Sequence, residues 1–267
     1  MNGSLIRNRF PGALVNFCRK YENNLLAIGA VLAFVGLWEL LPAIGLANPF
    51  FTSSPSRMLL AAQWLFAHGL WNDILVSLEE FAAGMALAVA FSIPIGLLLG
   101  WYRRLNAAFE PFVTMFNAMP RVALLPLIIL WLGIGMESKV AAVFLGAFFP
   151  LVVNVMVGVR TVDETLLKCA RSFGASDRQV FTTLVLPSSI PFLVAGMRLA
   201  LGRGLVGVVV GEMLASTAGV GHMMALASST FQTDKMFVGL ILLAGFGYTL
   251  TELLKHLEKR VESWRPQ

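Results

Sequence analysis

Polar residues interrupt this chain at wide intervals, and the apolar stretches between them are long enough to cross a lipid bilayer as helices. Spanning the hydrocarbon takes about 20 apolar residues. Phe81–Gly100 and Val140–Val159 provide that length without a charge, Leu25–Ile44 carries Glu39 alone, and Met236–Leu254 holds an uncharged run from Met236 to Leu250. Two further stretches are less pure: roughly Glu110 to Gly133 includes Arg121 with Pro111, Pro120 and Pro126, and roughly Ser189 to Leu214 includes Arg198 and Arg203 among several glycines. The pattern predicts six spanning helices.

Between the first two spans, Ser53-Ser54-Pro55-Ser56 is a helix-start pattern with proline in the first turn, so Met58–Phe66 is expected to form a short surface helix. Glu79 and Glu80 precede the run at Phe81 and predict solvated charge at a helix start, where acidic groups suit the dipole. Gly96 and Gly100 have the spacing that lets two helices approach closely.

Composition agrees with a membrane setting. At 57% hydrophobic and 13% charged residues, with a mean hydropathy of +0.76, the chain has too little polar surface to solvate a soluble domain. One membrane domain, 1–267, is expected, with its core at about 75–257. The net charge of +5 then reads as topology rather than as affinity for nucleic acid. With the N-terminus in the cytoplasm, fourteen of the twenty lysines and arginines lie inside and three, Arg57, Lys139 and Lys235, outside; the remaining three are within spans. Short cytoplasmic loops collect such residues, so both termini are placed in the cytoplasm. Cys18 and Cys169 fall on that reducing side, which argues against a disulfide. The run from Leu25 has span length and no A-x-A-like site after it, so it is expected to stay as a span and not to be cleaved.

The loop from Arg160 to Pro187 is about 28 residues long where a connector needs only a few. Leu166, Ala170 and Phe173 fall at i, i+4 and i+7, which predicts one apolar stripe on a short helix, with Lys168, Arg171 and Ser172 elsewhere. Gly174 permits a helix end, Ala175-Ser176-Asp177 can cap a second helix through Val180, Phe181 and Leu184, and Pro187 reads as a stop. Spacing alone fits either a docking element or an amphipathic surface pair with no partner.

At these residues the chain resembles the inner-membrane permease subunits of ATP-binding-cassette importers, whose cytoplasmic loop reads E-A-A, three residues, G, nine residues, I, one residue, L-P. Gly174 anchors the register: Lys168-Cys169-Ala170 stand at E-A-A, Leu184 at the isoleucine and Leu186-Pro187 at L-P, with Lys168 and Cys169 departing from the pattern. Ala123-Leu124-Leu125-Pro126-Leu127, Trp131-Leu132-Gly133-Ile134-Gly135, Arg171-Ser172-Phe173-Gly174-Ala175-Ser176, Gly211-Glu212-Met213 and Gly219-Val220-Gly221 are similar to the sulfonate, taurine and nitrate branch. The resemblance implies an all-α, polytopic membrane protein of six transmembrane helices with a cytoplasmic coupling-helix loop, the type I importer permease fold. It implies a second, normally identical permease copy, two ATPase subunits, an external solute-binding protein and surrounding lipid. The coupling residues it implies are Leu166, Lys168, Cys169, Ala170, Arg171, Phe173, Gly174, Ala175, Ser176, Leu186 and Pro187. No G-x-x-x-x-G-K-[S/T] loop occurs in the sequence, so ATP and magnesium are expected on a separate subunit, with no cofactor on this chain.

Charges inside spans are pointers to a translocation path, because an arginine at the bilayer centre costs about 3 kcal/mol or more. Arg121, Arg198 and Arg203, together with Glu212, are the candidates. Two readings stand side by side: the arginines pair with Glu39, Glu79, Glu80 or Glu212 or brace a dimer, or they offer charge-assisted hydrogen bonds to a passing oxyanion. A membrane-embedded enzyme is disfavoured, since His68, His222 and His256 lie in different loops or the tail and no H-E-x-x-H occurs. An ATP-independent carrier or channel would share the prolines and the arginines. It has no use for the cytoplasmic loop.

Overall fold

The computed structural model describes residues 12–46 and 48–261. The basic residues Arg7, Arg9 and Arg265, counted in the topology argument, lie outside them. Twelve α-helices are described: α1 (Gly12–Ala43), α2 (Pro49–Thr52), α3 (Pro55–Ala67), α4 (Leu70–Trp101), α5 (Arg103–Ala118), α6 (Leu125–Leu132), α7 (Met136–Arg160), α8 (Glu164–Ser172), α9 (Asp177–Val180), α10 (Leu186–Leu214), α11 (Val220–Ser229) and α12 (Thr233–Val261). Five helical stretches are long and apolar enough to cross a membrane, and α5 with the segment Arg121–Leu132 makes up to a sixth, bent by 89°. Five of the six expected spans are continuous helices, and the sixth corresponds to this bent pair.

The break follows from Pro120. Proline cannot donate to the helix and pushes its predecessor out of the helical region, and Met119 sits at φ −65°, ψ 135°. A 3-10 turn, Arg121–Leu124, leads into α6, with Pro126 in its first turn, where its missing N–H costs nothing.

The bundle is centred on α7, packed between α4 and α10. Phe81, Met85 and Ala88 of α4, Val143, Ala147, Leu151 and Val155 of α7, and Ala200 and Val208 of α10 form its core. Helix α4 presents Gly84, Ala88, Ser92, Gly96 and Gly100 to α7 at a spacing of four. A Cβ at Gly96 would stand 2.7 Å from Val155 Cβ, and one at Gly100 2.5 Å from Val159 Cβ. The close approach predicted from Gly96 and Gly100 is present, and it spans most of the helix. Among the described residues Glu39 makes no ion pair with Arg121, Arg198 or Arg203; it accepts hydrogen bonds from Ser56 N (3.0 Å) and Ser56 Oγ (2.7 Å) at the start of α3.

One expectation is corrected. Helix α4 begins at Leu70, ten residues before Glu80, so the Glu79-Glu80 pair is not at a helix start. Ser77, Glu80, Phe81 and Gly84 share the inward face at helical spacing, leaving Glu79 exposed and Glu80 only 4% exposed.

Candidate functional site

The polar loop folds as two helices around a turn. Asp163 caps α8 by accepting from Thr165 N at 2.7 Å, and that backbone hydrogen bond holds its carboxyl below the usual aspartate range. At the other end Gly174, at φ +80°, closes a Schellman motif: Ala175 N donates to Ala170 O (3.1 Å) and Gly174 N to Arg171 O (3.0 Å). Ser176 and Gln179 form a reciprocal capping box on α9, and Arg171 bridges the turn to Asp177 at 3.4 Å. Lys168 lies 3.2 Å from Glu164 on its own helix.

Pro187 does not stop the second helix. A π-helical turn, Phe181–Val185, joins α9 to α10, so the helix runs continuously from Asp177 to Leu214. Widening the ladder by one residue is how a helix accommodates an N–H that proline lacks. The expected apolar stripe also divides. Leu167 and Ala170 pack, with Ala175, Phe181 and Trp101, against Val159, Val162, Val180 and Val185, whereas Leu166 is exposed and Phe173 is 87% exposed. The loop is locked to the bundle by one face and presents bare apolar side chains on the other. Cys169 is free and exposed.

Of the four path candidates, Arg121 and Arg203 come together. They line an open cavity of about 400 Å³ whose wall includes Leu125, Ile128, Leu145 and Val206. Arg121 Nη2 donates to Asn117 O and Asn117 Oδ1, both at 3.1 Å, and Arg203 Nη1 donates to the same Oδ1 at 3.3 Å. Arg121 Nη1 donates to Gly146 O at 3.2 Å. That carbonyl is free because its helical donor would be residue 150, which is proline. Neither arginine makes an ion pair among the described residues.

Arg198 and Glu212 are elsewhere. Arg198 pairs with Glu258 at 2.8 Å, joining α10 to α12. Glu212 is 1% exposed and meets Glu80 beside Lys139, itself 2% exposed. The Lys139 ammonium donates to Ile134 O and, at 3.0 Å, to Gly135 O. Three carboxylate or hydroxyl oxygens of this group accept successive N–H groups at the start of α11: Asp73 Oδ1 from Gly219 (2.9 Å), Ser77 Oγ from Val220 (2.9 Å) and Glu212 Oε2 from Gly221 (2.6 Å). Gly219 and Gly221 have no room for a side chain against Glu212. Neither α11 nor this cap is evident from local sequence, because its partners lie up to 146 residues apart. Among the described residues no group of three or more His, Cys, Asp or Glu side chains could hold a metal ion.

A bundle of membrane-length helices with a structured polar loop and a cationic cavity defines a polytopic membrane protein whose architecture suits transport. The chain belongs to the family of binding-protein-dependent transport system inner membrane components, which matches residues 92–263, and is a permease subunit of an ATP-binding-cassette importer in a multi-pass inner-membrane setting. Membership implies two kinds of partner, an ATPase and a solute-binding protein. A probable ABC transporter permease protein of Brucella abortus (strain 2308) is 35% identical over 86% of this chain and 92% of its own length. The taurine transport system permease protein TauC of Escherichia coli (strain K12) is 29% identical over 90% and 89%. The SsuC protein of Bacillus subtilis (strain 168), named for aliphatic sulfonates transport, is 32% identical over 86% and 84%. In fold, the chain is similar to a chain of the inward-facing MetNI methionine ABC transporter, with a TM-score of 0.60 and 20% identity over 75% of this chain and 97% of that one.

Proposed function

We propose that this permease carries a small organic anion of the sulfonate class across the inner membrane, as one of two identical copies driven by two ATPase subunits that bind the ATP and magnesium. Both termini and the Arg160–Pro187 loop face the cytoplasm, and a solute-binding protein delivers the solute from the opposite side. The observation that carries this reading is the two-faced loop: Leu167 and Ala170 fix it to the bundle while Leu166 and Phe173 stand bare.

The bare side chains enter a cleft on the ATPase, with Lys168, Cys169, Arg171 and Ser176 around them and Gly174 and Ala175 setting the turn. ATP-driven closure then moves α8. Because α9, the π turn with Leu186 and Pro187, and α10 are one continuous helix, that movement passes directly to the span that bears Arg203. Sulfonate chemistry is supported by the relatives named for taurine and aliphatic sulfonates and by a pair of arginines without carboxylate partners.

The test is reconstitution of the permease with its ATPase in liposomes, with binding protein outside. Uptake of radiolabelled alkanesulfonate that needs ATP in the lumen and is lost in Phe173→Asp supports the reading. Uptake driven by a solute or ion gradient without ATP overturns it in favour of a carrier.

A further inference from the structure

The arginine cavity has a more specific chemistry than anion passage alone requires, and its interpretation rests on the permease reading above. Two guanidinium groups converge on one neutral amide oxygen, Asn117 Oδ1, close enough for each cation to feel the other. Arg121 is largely committed: it holds Asn117 O and Gly146 O as well, and its aromatic neighbour Phe149 lies 5.8 Å away. Arg203 makes a single hydrogen bond among the described residues, so most of its donor fork is available. An uncompensated pair of cations at membrane depth draws an anion with several acceptor oxygens.

The rest of the wall selects further. Leu125, Ile128, Leu145 and Val206 give the cavity an apolar side, and among the described residues no acidic side chain lines it. An ammonium would meet two arginines and hydrocarbon, with no carboxylate among the described lining residues to pair with it. A bare oxyanion would leave the apolar side unfilled. We infer that this cavity is a binding site within the permease for alkanesulfonates, the sulfonate oxygens accepting from Arg203 and Arg121 and the alkyl tail lying along Leu125, Ile128 and Val206.

Gly202 provides a test independent of charge. It lines the cavity on the helical α10, and a Cβ there would meet no atom within 4 Å, so a larger side chain can be started at this position to occupy the cavity. The permease–ATPase complex in lipid nanodiscs, without binding protein, is titrated with butane-1-sulfonate at constant ionic strength while its thermal unfolding is followed. The expected result is saturable stabilisation, with the half-saturating concentration raised about ten-fold or more by Arg203→Gln and by Gly202→Phe, partly restored by Arg203→Lys, and unmoved by Arg198→Gln. Taurine and nitrate should each need concentrations about ten-fold higher than butane-1-sulfonate. Co-purification with the ATPase and an unshifted ligand-free melting temperature show that each variant is folded. An equal response in wild type and Arg203→Gln, no saturable response, or a nitrate response matching that of butane-1-sulfonate overturns the site. ATP-driven uptake that persists in such a case leaves the permease reading standing, so the two fail separately.

Discussion

Phe173→Ala separates docking from folding, because the side chain is 87% exposed and takes no part in the cluster that fixes the loop. A phenylalanine carries roughly 200 Å² of surface, so about 170 Å² is open to a partner, and burial at about 25 cal/mol per Å² sets an upper value near 4 kcal/mol. Allowing for the methyl that alanine retains and for incomplete burial, the loss is about 2–3 kcal/mol, or roughly 30- to 150-fold in Kd for the ATPase. The variant's own stability should stay within about 0.5 kcal/mol of wild type, as for other surface changes. Leu167→Ala supplies the contrast, since it opens the Val159, Val162, Val180 and Val185 cluster and should lower the melting temperature. The assay is titration of ATPase subunit onto immobilised permease in nanodiscs, with thermal unfolding measured on the same preparations. If Phe173→Ala binds the ATPase within about two-fold of wild type, a change worth less than about 0.5 kcal/mol, the exposed face is not the docking face.

Gly96→Val drives a methyl-bearing carbon to 2.7 Å from Val155 Cβ and should destabilise the bundle by about 1–3 kcal/mol, whereas Gly36→Ala, with nothing within 4 Å, should not; melting of the purified proteins in one detergent compares them. Lys139→Met strands the carbonyls of Ile134 and Gly135 and should cost about 1–3 kcal/mol, and adding Glu80→Gln in a double-mutant cycle measures any coupling to the neighbouring carboxyl. Asp163 has a depressed carboxyl, so its cap on α8 is intact above the ordinary aspartate range near pH ~4 and is lost as pH falls through the lower folded value. Amide exchange at Thr165, corrected for its intrinsic rate, should accelerate over that window in wild type and show no such step in Asp163→Asn. Arg121→Gln strands Gly146 O and the carbonyl end of α5 and should cost about 1–3 kcal/mol; in a Pro150→Ala background, where an N–H is restored to Gly146 O, the same change should cost less.

Hydropathy was sufficient to place the spans because each one carries its own apolar record, and the paired loop helices were legible because Asp163, Gly174 and Ser176 act within a few residues of themselves. What was not legible depends on other helices. Pro120 was visible in the sequence, but the 89° bend that follows it was not, nor were the carbonyls of Asn117 and Gly146 that Arg121 meets there, the second of them on α7. Glu80 reads as surface charge until Lys139 and Glu212 are brought beside it from α7 and α10. The single stripe predicted on α8 from Leu166, Ala170 and Phe173 divides between two faces, and Leu167, equally apolar, takes the packed one with Ala170. Packing against Val159 and Val180 chooses Leu167, and no local rule does.

The buried arginines differ in how far protein groups already engage them. Arg121 does structural work, donating to Gly146 O, for which Pro150 lacks the helical donor, and to Asn117 O at the end of α5, and this fixes its guanidinium at the edge of the cavity. Arg198 is paired with Glu258 away from that cavity. Arg203 is different, for it shares one amide oxygen with Arg121 and has no carboxylate partner among the described residues. A fixed cation beside a less encumbered one suits a site that must bind weakly and release, since only the second has to reorient when an anion arrives. Arg203 sits on the same unbroken helix that begins at the capped turn of the loop. On the proposed coupling, a displacement of α8 passed along this helix would shift Arg203 relative to Arg121, and with it the strength with which the pair could hold an anion.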